Sequence, residues 1–324
     1  MKKLLITGVC GFIGFSFAKH LLENNKNVKI LGIDNLNDYY SPKLKIQRLN
    51  ILKKSKKFKF KKIDISNDKL LLKIFKKNKF DLIIHFAAQA GIRYSITNPE
   101  KYIKYNTVGF FNILNNCKNY NVKKIIYASS SSVYGGNYKY PSKENFDLKP
   151  NNIYSLTKKN NEELAQLFCN YYNLNLIGLR FFTVFGEWGR PDMMVMKYIK
   201  ASYNKKEKFY LYNKGNHYRD LTYIEDVNKI LIKLINKNFK KHEVFNICSN
   251  NPIKITKVLN MINKFTLNKP KIIKTNKQKA DLIKTHGSNE KINKLLKIKK
   301  YTNLEIALKK LITWYKENYK KINY

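Results

Sequence analysis

The strongest constraint on this chain is a rhythm. From residue 4 to residue 180, short apolar runs alternate with stretches of helical spacing. Runs at 4–6, 28–33, 58–63, 81–86, 123–128 and 176–180 read as strands. The second and third end at Asp34 and Asp64. Apolar residues three and four apart predict helices over 12–22, 70–75, 102–117 and 153–172. The runs at 4–6 and 82–84 are apolar throughout, as strands covered on both faces are, whereas 58–63 carries three lysines. Regular β-α-β alternation predicts an α/β fold: a doubly wound parallel sheet with right-handed crossovers. After residue 180 the rhythm breaks. The segment 181–223 reads as loop-rich, 224–236 as a helix and 244–247 as a late strand. From 252 onward the chain is Lys-rich and mostly helical, ending in an amphipathic stretch over 304–319.

The first residues, MKKLLITGVCGFIGFSFAKHLL, admit two readings. Two lysines and an apolar run reaching Ala18 have the outline of a secretory leader. The same stretch holds Gly8, Gly11 and Gly14 between a strand and a helix. Glycines there allow a tight turn and close approach of a pyrophosphate, which the N–H groups and positive dipole end of the following helix attract. Asp34 lies twenty positions beyond Gly14, at the end of the second strand. A carboxylate there binds a ribose 2′-hydroxyl and repels a 2′-phosphate, so the cofactor expected is NAD, not NADP. The leader reading would discard the first strand of a well-patterned sheet. The turn reading keeps it, and the expected sheet is of the Rossmann kind.

Composition matters mainly for what it excludes. The formal charge of +42 raises the question of nucleic acid. However, the basic residues are almost all lysine and spread evenly, with Asn and Ile abundant beside them, so no nucleic-acid partner is expected. The few arginines (Arg48, Arg93, Arg180, Arg190 and Arg219) stand out, because a guanidinium offers a fork that lysine cannot. The four cysteines are scattered with no C-x-x-C pair, which predicts free thiols, no metal site and a cytoplasmic location. No apolar run is long enough for a membrane span.

Two further segments carry chemistry. YASSSSVYGG follows a strand, and YSLTK opens the helix predicted over 153–172, with Tyr154 and Lys158 four apart on one face. An ammonium there lowers the phenol pKa by stabilising the phenolate. Y-x-x-x-K is common by chance in a chain rich in Tyr and Lys; its position behind a glycine turn and a Ser-rich strand end gives it weight.

Together these motifs resemble those of the extended short-chain dehydrogenase/reductases, and within them the nucleotide-sugar epimerases acting on UDP-glucuronate. The resemblance runs over nearly the whole chain: TGVCGFIG, DNLNDYY, HFAAQAGIRYS, SSSSVYG, YSLTK, RFFTVFGEWGRPDM and RDLTYIEDV. It implies NAD-dependent 4-epimerisation of a UDP-sugar through a 4-keto intermediate, in a homodimer of polysaccharide biosynthesis joined through helices 102–117 and 155–172. Residues 1–180 would form the NAD-binding domain, with 224–250 returning to it. Residues 181–223 and 251–324 would form a smaller substrate lobe.

The resemblance assigns Tyr154 as general base at the sugar 4-hydroxyl, Lys158 as its partner, and Ser130 as the hydrogen-bonding serine, with Ser129 and Ser131 able to share its role. Gly8, Gly11, Phe12, Ile13, Gly14, Asp34, Asn35, Asp64, Ile65, Phe86, Ala87, Ala88, Gln89, Asn106 and Phe182 fall at cofactor-side positions. With glucuronate the 4-keto intermediate is a β-keto acid that loses CO₂ if its carboxylate aligns with the carbonyl. Thr183 and the fork of Arg190 suit the task of holding it away; the plainer alternative for Arg190 is an ion pair with Asp192. Arg219, Arg93 and Gln278 fall on the UDP side. Departures from the family pattern are Ala280 in the usual Gly-Asp pair, Thr285-His286-Gly287-Ser288 after it, and Glu187 in the P-W-G-R-P motif. A UDP-glucose epimerase, a UDP-glucuronate decarboxylase and a non-catalytic polyanion-binding protein are the rivals. Ser131 and Ser132 stand where decarboxylases and dehydratases tend to place acids.

Overall fold

The computed structural model describes residues 1–322 except 26, 138, 240, 267, 279 and 280. Its central sheet has seven parallel strands in the order β10-β6-β5-β4-β1-β2-β3. These are β1 (Lys2–Thr7), β2 (Val28–Asp34), β3 (Phe58–Lys62), β4 (Leu82–His85), β5 (Lys124–Ser130), β6 (Asn175–Phe181) and β10 (Glu243–Ile247). Adjacent residues along these strands face opposite cores. Ile6, Ile84, Ile126 and Leu179 pack into one apolar cluster; Leu5, Ile83, Ile125 and Leu176 pack into the other. That two-sided burial is the reason the inner strands read as continuous apolar runs, while the edge strand β3 (FKFKK) does not.

The helices are α1 (Phe12–Asn24), α2 (Pro42–Lys53), α3 (Asp68–Lys77), α4 (Tyr94–Thr97), α5 (Pro99–Tyr102), α6 (Gly109–Asn119) and α7 (Ile153–Tyr172), followed by α8 (Met194–Tyr203), α9 (Ile224–Ile235), α10 (Ile255–Asn263), α11 (Glu290–Leu296) and α12 (Leu304–Asn318). The helix expected over 102–117 is not one α-helix: a π-helical turn at Ile103–Val108 separates α5 from α6. Helix α2 has no counterpart in the sequence reading. The segment 181–223, expected to be loop-rich, contains α8 and the short strands β7 (Thr183–Phe185), β8 (Lys208–Tyr212) and β9 (Tyr218–Tyr223). These pair with each other or with β11 (Pro252–Lys254) and β12 (Lys271–Thr275) in two small sheets, ordered β11-β9-β7 and β12-β8. Their partners are remote in sequence, so local patterning is weak.

From β1 the chain proceeds outward to β2 and β3; from β4 it proceeds the other way, to β5 and β6. The crevice at the carboxyl ends of β1 and β4 is therefore the switch point where such sheets hold ligands. Among the described residues no helix is long and apolar enough to cross a membrane.

Candidate active site

A cleft of about 920 Å³ opens at that switch point. Its floor is the glycine turn. Gly8 has φ +67°, and a Cβ on Gly14 would lie 2.3 Å from the Gly8 carbonyl oxygen, so neither position takes a side chain. Helix α1 begins immediately after Gly11 with no side-chain cap and no acid in its first turn. Its first N–H groups thus remain available to an anion. Asp34, only 8% exposed, accepts Cys10 N–H at 3.0 Å and Leu36 N–H at 2.8 Å, which fixes its carboxylate at the cleft wall.

Gly8, Gly11, Phe12, Ile13, Gly14, Asp34, Asn35, Ile65, Phe86, Ala87, Ala88, Gln89 and Phe182 all line this cleft. Asp64 and Asn106 do not: both stand one layer behind. Asp64 accepts from Asn35 Nδ2 at 3.4 Å and from Ser66 Oγ at 2.7 Å. Asn106, in the π-turn, accepts Gln89 N–H at 2.7 Å and donates to Gln89 O at 3.0 Å and Thr157 Oγ1 at 3.1 Å. It braces the residue that meets the cleft.

The proton-transfer candidates converge from two elements. Ser130 ends β5, and Tyr154 lies in the first turn of α7, which is set by a capping box between Asn152 and Ser155. Ser130 and Tyr154 are hydrogen-bonded through their side chains. Burial raises the Tyr154 pKa, while the Ser130 bond and the Arg190 charge pull it down. Lys158, one turn along, donates to the Ala128 carbonyl at 2.7 Å. Burial lowers its pKa to about 8, against a rise from Glu162. Lys158 and Arg190 line the same cleft as Tyr154, and the charge of Arg190 is among the influences that lower the phenol pKa.

Ser129, Ser131 and Thr183 line the cleft with Ser130. The Ser129 hydroxyl donates to Glu162 Oε1 at 2.5 Å, and Glu162 is also held by Arg180 through Nε (3.0 Å) and Nη2 (2.7 Å).

On the substrate side, Arg190, Arg93 and Arg219 line the cleft, while Gln278 is exposed and outside it. Arg190 forms a bidentate pair with Asp192, whose Oδ2 also accepts from Tyr39 Oη at 3.1 Å. The Nε–Nη2 edge of its fork thus meets a carboxylate of this chain, the plainer of the two sequence readings, and Nη1 is in none of these bonds. Arg93 bonds Asp281 at 2.7 Å and lies over the Tyr212 ring at 4.1 Å. Arg219 donates to the carbonyls of Tyr218 (2.8 Å) and Ile283 (3.2 Å). Ala280 lies outside the described residues. Tyr39, Asp192 and Asp281 are cleft residues that the sequence reading did not assign, although Tyr39 sits within the DNLNDYY segment it singled out.

A doubly wound sheet with this turn and this Ser-Tyr-Lys set is the architecture of an extended short-chain dehydrogenase/reductase. The chain belongs to the NAD dependent epimerase/dehydratase family, which matches residues 4–248. It is 39% identical over 322 residues to UDP-glucuronate 4-epimerase of Thermodesulfobacterium geofontis, covering 98% of this chain and 97% of that one. Protein CapI of Staphylococcus aureus is 37% identical over 338 residues, covering 98% and 100%. Among solved structures the chain is similar to UDP-glucuronic acid 4-epimerase from Bacillus cereus in complex with UDP-glucuronic acid and NAD. The TM-score is 0.89 at 26% identity, covering 97% of this chain and 99% of that one.

Proposed function

We propose that this protein is an NAD-dependent UDP-sugar 4-epimerase acting on UDP-glucuronate to give UDP-galacturonate. The observation that carries the reading is the meeting, in one cleft, of Ser130, Tyr154 and Lys158 with the glycine turn on one side and Arg190 on the other. The lack of side-chain room at Gly8 and Gly14, the free start of α1 and the fixed carboxylate of Asp34 suit the pyrophosphate and ribose of NAD.

Tyr154 Oη takes the proton of the sugar 4-hydroxyl, and Ser130 Oγ holds the same oxygen while its charge changes. NAD, when bound against the glycine turn and Asp34, would supply the redox chemistry at C4 as hydride acceptor and donor. Lys158 keeps a positive charge beneath the site. Between the two transfers the 4-keto sugar turns over within the cleft, and Tyr154 returns its proton to O4. Arg190 and Thr183 hold the carboxylate out of line with the new carbonyl, so that the C–C bond to CO₂ stays intact. Arg219 and Arg93 bind the diphosphate. Asp64 and Asn106 support the cofactor wall from behind. Residues 1–180, with β10 added at the sheet edge, make up the cofactor domain, and 181–223 with 251–324 the substrate lobe. The protein works as a cytoplasmic homodimer through α6 and α7, whose outer faces leave Phe111 44% and Leu167 49% exposed.

Incubation with UDP-glucuronate, read by NMR of the sugar, tests this: UDP-galacturonate without net NADH is the expected product. A pentose with CO₂ would make it a decarboxylase. The pairing of Arg190 with Asp192 favours a second reading, a UDP-glucose 4-epimerase, which turnover of UDP-glucose alone would support.

A further inference from the structure

Arg48, on α2, is completely buried at 0% exposure, and among the described residues no carboxylate pairs with it. A buried cation without an ion-pair partner is costly unless dipoles replace its water. Here they come from three separate segments. Nη1 donates to Cys10 O at 2.9 Å, in the glycine turn, and to Tyr40 Oη at 2.8 Å. Nη2 donates to Trp188 O at 2.5 Å and Gly189 O at 3.4 Å, in the bend that presents Arg190.

That bend is held in an unfavourable shape. Trp188 has φ +59°, a region that bulky residues rarely enter and that persists only where the surroundings over-determine it. Its ring is wedged edge-on against Phe15 (5.5 Å) and beside Trp314 (5.4 Å), and Arg48 secures its carbonyl. On the other side, Cys10 gives its N–H to Asp34. One continuous path therefore runs from Asp34 through Cys10, Arg48 and the carbonyls of 188 and 189 to Arg190.

We propose that Arg48 is a positioning residue that ties the cofactor turn to the 186–192 bend. Order in the turn then sets the aim of Arg190 and the preference for an acid over a neutral sugar. The inference rests on the acid-sugar reading above. A lysine could not substitute, because one ammonium cannot span carbonyls on two segments as a fork does. The coupling is reciprocal: NAD tightens acid-sugar binding, and the acid sugar tightens NAD binding.

The test is calorimetric titration of the NAD-loaded wild type, R48K, R190A and the double variant with UDP-glucuronate and UDP-glucose. R48K should weaken UDP-glucuronate binding by about tenfold or more, the worth of a charge-assisted hydrogen bond. UDP-glucose binding should change by less than about threefold, and R48K should add no acid-specific loss to R190A, since coupled residues are not additive. Equal loss on both sugars, or a full additional loss in the double variant, overturns the proposal. A wild type that binds and turns over only the neutral sugar overturns the acid-sugar reading itself, and this proposal with it. If R48K does not fold, hydrogen exchange on the wild type decides: amides of 186–192 should exchange more slowly once NAD is added to protein freed of it. No change there overturns the coupling.

Discussion

Tyr154 is placed by two short-range devices, a capping box and a strand end, and its environment is set by groups far away in sequence. Removing its hydroxyl with Tyr154→Phe should lower kcat by about 10²–10⁴-fold, the usual worth of a positioned acid–base group, with an unchanged melting temperature. Arg190→Ala should cut kcat/KM for UDP-glucuronate about 100-fold more than for UDP-glucose, as loss of a bidentate charge contact does, and NMR should reveal pentose among the products. Lys158 yields a stability prediction. Its pKa of about 8 lies below the unfolded value, so folding is penalised while the group stays charged. The penalty is full below about pH 8 and fades as pH rises toward the ordinary lysine value near 10.4. Lys158→Met should therefore abolish turnover yet stabilise the protein at pH 7 by on the order of 1–3 kcal/mol, with a smaller gain at pH 10, measured by urea unfolding. The Tyr154–Lys158 pair was legible because its spacing is local, and Ser130 through the family resemblance. The fate of Ser129 was not, because its partner Glu162 belongs to another element.

Two elements show where periodicity fails. Helix α2 (PKLKIQRLNILK) turns Lys45 and Arg48, along with Leu44, Leu49 and Leu52, into the protein, so its buried face does not read as apolar. The charges that hid the helix are the ones that give it work to do. Similarly, the π-turn at Ile103–Val108 lies within a stretch whose apolar spacing reads as one continuous helix. Its extra residue swings Asn106 inward to bond both backbone groups of Gln89. Asn106→Ala would leave these groups buried and unpaired, costing about 1–3 kcal/mol in unfolding free energy. Weaker NAD retention on gel filtration should accompany it. Strands β7 to β9 were missed because each is short and stabilised by partners from other parts of the chain.

At the scale of the whole molecule, α6 and α7 present an apolar outer face, with Phe111 (44%), Leu156 (40%) and Leu167 (49%) exposed and Val108 (44%) beside them at the end of the π-turn. Burying such a face in a second copy is the economical way to cover it. In the homodimer proposed above, Leu167→Asp should give a monomer in light scattering while leaving circular dichroism intact. The charge of +42 is carried almost entirely by lysines, most of them at the surface. What the sequence determined by itself was everything set by near neighbours: the alternating apolar runs of a parallel sheet, the glycine turn between strand and helix, the acid ending β2, and the Tyr-Lys spacing on α7. Only the tertiary structure decided that Ser129 meets Glu162, that Arg190 meets Asp192 and Tyr39, and that Arg48 joins the glycine turn to the 186–192 bend. The reason is physical. Backbone geometry follows from periods of two and 3.6 residues, whereas a buried polar side chain takes whatever partner the folded chain brings within about 3 Å.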